Sequence, residues 1–133
     1  MDMWMTGLRV TRIGFDSAVL IEGQGHCELV ITAPMLLSLP EVGGLPSEVV
    51  EIDATRVIDP QRPLFTFAGS RCTRADYQDD GTLTIDFDSG HRILVPPLPD
   101  DQSWEIYGKA FGYAVCESKD NVRVVLHHSS RVG

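Results

Sequence analysis

Gly7-Leu8-Arg9-Val10-Thr11-Arg12-Ile13 returns later in the chain as Gly69-Ser70-Arg71-Cys72-Thr73-Arg74-Ala75, with four of the seven positions identical. An aromatic residue follows two places on in each stretch, Phe15 and Tyr77. Gly25-His26 then answers Gly90-His91, and Leu29-Val30-Ile31 answers Ile93-Leu94-Val95, each run soon meeting proline at Pro34 and at Pro96-Pro97. An ordered series of matches at long spacing marks an internal repeat. It assigns residues 7–34 and 69–97 to two copies of one unit.

Each copy reads as three short strands, over residues 8–13, 18–22 and 27–32 in the first and 70–75, 82–87 and 92–95 in the second. Leu83, Ile85 and Phe87 alternate with Thr84, Asp86 and Asp88, the period of a strand with one buried face. Asp79-Asp80-Gly81 and Asp88-Ser89-Gly90 fall between strands, where glycine supplies the positive φ of hairpin turns. The expected fold is mainly β, two duplicated antiparallel three-strand meanders forming a sandwich or a partly open barrel. Residues 35–68 link the copies, and Pro40, Gly43-Gly44 and Pro46 keep a long helix out of the first half of that link. Residues 49–58 predict one more strand, and residues 64–68 a short helical turn that would make the fold α+β. Closing strands are expected at residues 103–107, 112–117 and 122–126, followed by a frayed tail from His127.

A chain of 133 residues fits one domain, residues 1–133, large enough to bury a core without disulfides or metals. Hydrophobic residues at 43% and charged residues at 23% lie far from the composition of disordered chains. Eleven basic against nineteen acidic side chains leave a net charge of −8, which repels phosphate backbones and anionic membranes. That field excludes nucleic acid and membrane surfaces as partners and favours a basic protein. The N-terminus lacks the basic stretch and apolar run of a signal peptide, and no segment has the length of a membrane span. Three widely spaced cysteines, Cys27, Cys72 and Cys116, suit reduced thiols in the cytoplasm.

Further pieces recur in order along the second half: Gly69-Ser70-Arg71-Cys72, Gly81-Thr82-Leu83-Thr84-Ile85-Asp86-Phe87, Gly90-His91-Arg92-Ile93-Leu94-Val95, Asp100-Asp101, Trp104-Glu105-Ile106-Tyr107 and Val122-Arg123-Val124-Val125-Leu126. This series resembles small uncharacterised actinobacterial proteins, a domain-of-unknown-function family with an aromatic-Glu-x-aromatic, YEAW-like motif. Here the tryptophan comes first and the tyrosine last. The resemblance implies no activity and no catalytic residues. Distant relatives of this style look like immunity proteins of bacterial toxin systems, which implies by analogy a role in binding another protein.

His26-Cys27, His91 and His127-His128 are metal-ligand types, and His26 and His91 read as equivalent positions that a two-fold axis would bring together. No C-x-x-C, H-x-x-x-H or H-E-x-x-H spacing accompanies them, so no metal is assigned. Neither a G-x-S-x-G elbow nor a phosphate-binding glycine loop is present, so no catalytic residue and no cofactor is assigned. Cys72 stands where Val10 stands, and Cys27 shares a strand face with Leu29 and Ile31, so both read as buried thiols. Trp104, Glu105 and Tyr107 beside Asp100 and Asp101 combine aromatics with acids, a set that anchors interfaces or grips cations when exposed and fills a β core when not. Two functions are compatible with these residues. The first is a non-enzymatic protein-interaction domain, immunity-like or regulatory, binding a basic protein through Asp100–Tyr113, with Phe111 and Tyr113 close behind the motif, and forming homodimers through sheet edges. The second is a small enzyme or ligand binder using His26, His91 and nearby acids.

Overall fold

The computed structural model describes residues 3–15, 17–53, 55 and 65–127. Eleven strands run in chain order: β1 (Val10–Phe15), β2 (Val19–Gly23), β3 (Cys27–Ile31), β4 (Met35–Leu39), β5 (Glu48–Ile52), β6 (Cys72–Tyr77), β7 (Leu83–Phe87), β8 (Arg92–Val95), β9 (Trp104–Gly108), β10 (Gly112–Ser118) and β11 (Asn121–Leu126). They form two antiparallel sheets, one of six strands in the order β1-β2-β3-β9-β10-β11 and one of five in the order β5-β4-β8-β7-β6. The arrangement is a sandwich, and no α-helix occurs among the described residues.

The two meanders read from the sequence are β1-β2-β3 and β6-β7-β8, one in each sheet. Each is completed by a hairpin from the other half of the chain. The hairpin β4-β5, which follows the first meander, pairs with β8, and the hairpin β9-β10, which follows the second, pairs with β3. The first crossing is pinned where Thr32 and Ala33 donate backbone N–H bonds to the Ser103 carbonyl at 2.9 and 3.1 Å.

The Gly-x-Arg-x-Thr-Arg stretches lie where the two halves meet. Arg9 and Arg71 face each other in an isolated antiparallel bridge. Val10 N–H donates to Ser70 O at 2.8 Å and Cys72 N–H to Leu8 O at 2.8 Å. Likewise Arg9 Nη1 donates to Gly69 O at 2.8 Å and Arg71 Nη1 to Gly7 O at 2.6 Å. Thr11 Oγ1 caps Glu22 O as Thr73 Oγ1 caps Asp86 O. Each repeated residue therefore makes the bond that its counterpart makes in return. Because residues 8–10 and 70–72 pair with each other, β1 and β6 start two residues later than the sequence predicted.

Inward alternation fills one continuous core. In β2, Val19, Ile21 and Gly23 are buried, and in β7, Leu83, Ile85 and Phe87. Cys27, Cys72, Trp104 and Cys116 join the same cluster. Strand β4 was not expected; Met35 and Leu37 face inward between the flanking Pro34 and Pro40. The strand expected over residues 49–58 is β5, Glu48–Ile52, and residues 54 and 56–58 lie outside the described residues. Residues 65–68 are not helical: Phe65 and Phe67 are buried on either side of exposed Thr66, the alternation of an extended segment. Leu64 and the tail beyond His127 lie outside the described residues.

Candidate functional site

Strand pairing corrects the equivalence of the two histidines. Ile21 faces Leu29 and Gly23 faces Cys27 in the first meander. In the second, Ile85 faces Ile93, and Phe87 N–H donates to His91 O at 3.1 Å. His91 thus occupies the place of Cys27, and His26 the place of Gly90. Backbone conformation agrees, since His26 and Gly90 both have positive φ, 59° and 93°. Aligning Gly25-His26 with Gly90-His91 was one residue out of step.

The structure does not bring His26 and His91 together. His91 is buried, with its ring against Phe67 and its Nδ1 2.9 Å from Ser89 Oγ, and burial lowers its pKa from the ordinary value. It lines a concavity of about 250 Å³ with Leu39, Pro40, Val42 and Leu45. His26 is exposed on the β2–β3 turn and lines a separate concavity of about 440 Å³ with Thr11, Glu22, Glu28 and Tyr107. The two share no residue. Among the described residues, no three His, Cys, Asp or Glu side chains are placed to hold a metal ion. His128 lies outside them.

Trp104 is fully buried, its Nε1–H donating to Gly81 O at 2.8 Å and its ring 5.7 Å from that of Tyr77. It is a core residue and offers no surface to a partner. Asp100 and Asp101 are exposed in the loop before β9. Glu105 and Tyr107 project from the opposite face of β9 to Trp104, away from the core. Tyr107 is 43% exposed and packs edge-on against His127.

On that outer face a row crosses four strands. Glu22 in β2 faces Glu28 in β3, Glu28 faces Tyr107 in β9, and Tyr107 faces Tyr113 in β10. The Tyr113 hydroxyl donates to Glu105 Oε2, a bond that, with burial, pushes its pKa up to about 12. Glu22 lies 3.3 Å from Arg12 Nε, and Glu28 is exposed beside it. Pairing in the other sheet shows what these positions hold there. Asp86 and Arg92 face each other in β7 and β8, in an ion pair with Nε–Oδ1 of 2.5 Å and Nη2–Oδ2 of 3.1 Å. Where one sheet has a bidentate Asp–Arg pair, the other has two glutamates. Neither Glu22 nor Glu28 was among the residues singled out from sequence.

A protein-family model describing a family of unknown function, DUF6188, matches residues 1–126. The chain belongs to this family. The match takes in both meanders, both exchanged hairpins and all of β11. No curated protein and no solved structure matches the chain. The function of the family is unknown, so the chemistry of the site rests on its residues. Directly opposed carboxylates beside an exposed tyrosine ring suit a guanidinium or ammonium group, which the carboxylates neutralise while the ring face stacks. No helix among the described residues is long and apolar enough to cross a membrane.

Proposed function

We propose that this chain is a non-catalytic protein-interaction domain that receives a basic partner on the outer face of its six-stranded sheet, across Glu22, Glu28 and Tyr107. The observation that carries the reading is the Glu22–Glu28 pair standing where the other half has Asp86 and Arg92. Like charges directly opposed on neighbouring strands cost on the order of 0.2–1 kcal/mol relative to neutral pairs. Arg12 offsets part of that cost through Glu22, and a cation bridging to Glu28 would offset the rest. Comparing the halves position by position rests on an internal duplication, which we infer from the reciprocal hydrogen bonds around Arg9 and Arg71.

The net charge of −8 supports the reading by steering a basic partner toward the protein from a distance. The same field opposes nucleic acid and anionic membranes. An immunity-like or regulatory role fits such a face, because an acidic surface that covers a basic one can silence it. All three cysteines are free and buried, which suits a reducing compartment, and we place the protein in the cytoplasm.

The test uses an octa-arginine peptide as probe and follows backbone amide shifts of the folded protein at low and moderate salt. The largest shifts should cluster on Glu22, Glu28 and Tyr107, and binding should weaken as salt rises. Glu28→Gln and Tyr107→Ala should each weaken binding at least fivefold, and Glu28→Gln, which removes the repulsion across from Glu22, should melt no lower than wild type. Shifts concentrated on the Asp100–Asp101 loop, or affinity unchanged in both variants, would overturn the proposal.

A further inference from the structure

We infer that two copies of this chain pair through β11, antiparallel and in one register, joining their six-stranded sheets into a continuous sheet of twelve. This stands independently of the cation-binding face. Exposed sheet edges invite pairing unless they are covered, charged or short. On β6, Met3 N–H donates to Ala75 O at 2.7 Å and Thr6 Oγ1 accepts from Ala75 N–H at 2.9 Å. Beside β1, Phe65 packs edge-on against Phe15. Edge strand β5 carries Glu48 and Glu51. Among the described residues no segment covers β11, and its one charge, Arg123, lies 3.4 Å from Glu117 on β10. The strand exposes Val124, Val125 and Leu126 by 39, 47 and 63%, and its six residues hold no carboxylate in a chain of net charge −8.

Hydrogen-bond direction fixes which groups are free. His127 N–H donates to Phe111 O, and bonding alternates along an antiparallel ladder. Residues 125 and 123 therefore bond to β10, and Val122, Val124 and Leu126 turn their N–H and C=O groups outward. A two-fold-related copy must match outward groups to outward groups. Centred on Val124, the pairing sets Val124 against its own counterpart and Val122 against Leu126, so that every outward group in the strand is bonded. Arg123 then faces Val125 of the second copy rather than its own counterpart. Centring on Arg123 would oppose two guanidinium groups, and centring on Val125 would leave Val122 without a partner inside the strand. The chosen register covers all three exposed apolar side chains and directs Arg123 toward the acidic outer face of the second copy, where Tyr113 and Glu105 lie next in the sheet. A six-residue strand contact is smaller than the roughly 800 Å² per partner of a standard stable interface, so the dimer is weak and concentration-dependent.

Sedimentation velocity on the full chain from about 5 to about 500 µM, a range suited to a contact of this size, tests it. The wild type should move from monomer to dimer, and more readily at high salt, because screening relieves the repulsion between two acidic copies. Val124→Lys and Val124→Glu each set like charges together at the two-fold axis and should each weaken dimerisation at least tenfold, with far-ultraviolet circular dichroism unchanged. Mixing the two variants should restore the dimer, because lysine then faces glutamate. A wild type that stays monomeric, single variants that dimerise as well as the wild type, or a mixture that stays monomeric would overturn the inference.

Discussion

Replacing Gly81 with alanine tests how firmly Trp104 is built into the core. Gly81 has φ of +100°, and its carbonyl accepts the Trp104 indole N–H. A Cβ at this position would lie 2.5 Å from Cys116 Sγ and 3.3 Å from Pro97 Cβ. The backbone strain of alanine in a left-handed conformation costs about 1 kcal/mol, and forcing a methyl group into a packed site costs about 1–3 kcal/mol more. At an unfolding entropy of about 2.1 cal/mol/K per residue over 133 residues, roughly 0.28 kcal/mol/K, a loss of about 2–4 kcal/mol lowers Tm by about 7–14 °C. Differential scanning calorimetry on Gly81→Ala, Cys116→Ala and the double variant separates the parts. Cys116→Ala removes the sulfur that the new methyl group meets, so the double variant should be more stable than the sum of the single effects predicts, by about 1–2 kcal/mol. Additive effects, or a Gly81→Ala variant within about 1 °C of wild type, would refute the packing described around Trp104.

Buried groups set the remaining outcomes. Burial lowers the pKa of His91, so the unfolded chain binds the proton more readily, and stability is full above about pH 6.5 and falls as pH drops below it; urea titrations between pH 8 and pH 5 should show this loss, and His91→Gln should reduce it. Burial pushes the Cys27 and Cys72 thiols up to about 11 and about 12, so a thiol reagent at pH 8 should label neither until the protein unfolds. Because Cys72 occupies the place of Val10, Cys72→Val should melt within a few degrees of wild type, whereas Cys72→Asp should unfold by burying an unpaired charge.

The strands of the two meanders were legible because inward and outward residues alternate within four or five positions. Strand β4 was not, because Pro34 and Pro40 read as loop signals although they only bracket Met35–Leu39. Residues 64–68 read as a helical turn before the second copy, whereas the period of two in Phe65-Thr66-Phe67 is that of an extended segment. The exchange of hairpins between sheets rests on pairings such as Leu29 with Ile106, between residues far apart in the chain, and leaves no local pattern. The aromatic-Glu-x-aromatic motif split along the strand period: Trp104 and Ile106 face the core, Glu105 and Tyr107 the outside. Matching Leu29-Val30-Ile31 with Ile93-Leu94-Val95 already sets Glu28 against Arg92, but that Glu22 faces Glu28 across two strands shows only in the pairing.

The most direct measurement of the central claim, that two opposed glutamates are kept for a cationic partner, is Glu28→Arg assayed for stability and for octa-arginine binding in the same preparation. The substitution rebuilds on β2 and β3 the ion pair that Asp86 and Arg92 make on β7 and β8. Converting a repulsive exposed pair into an attractive one is worth about 0.5–1 kcal/mol, a rise in Tm of about 2–4 °C. Binding of the probe should fall at least tenfold at the same time. A variant that melts no higher than wild type and binds octa-arginine as tightly would contradict the claim.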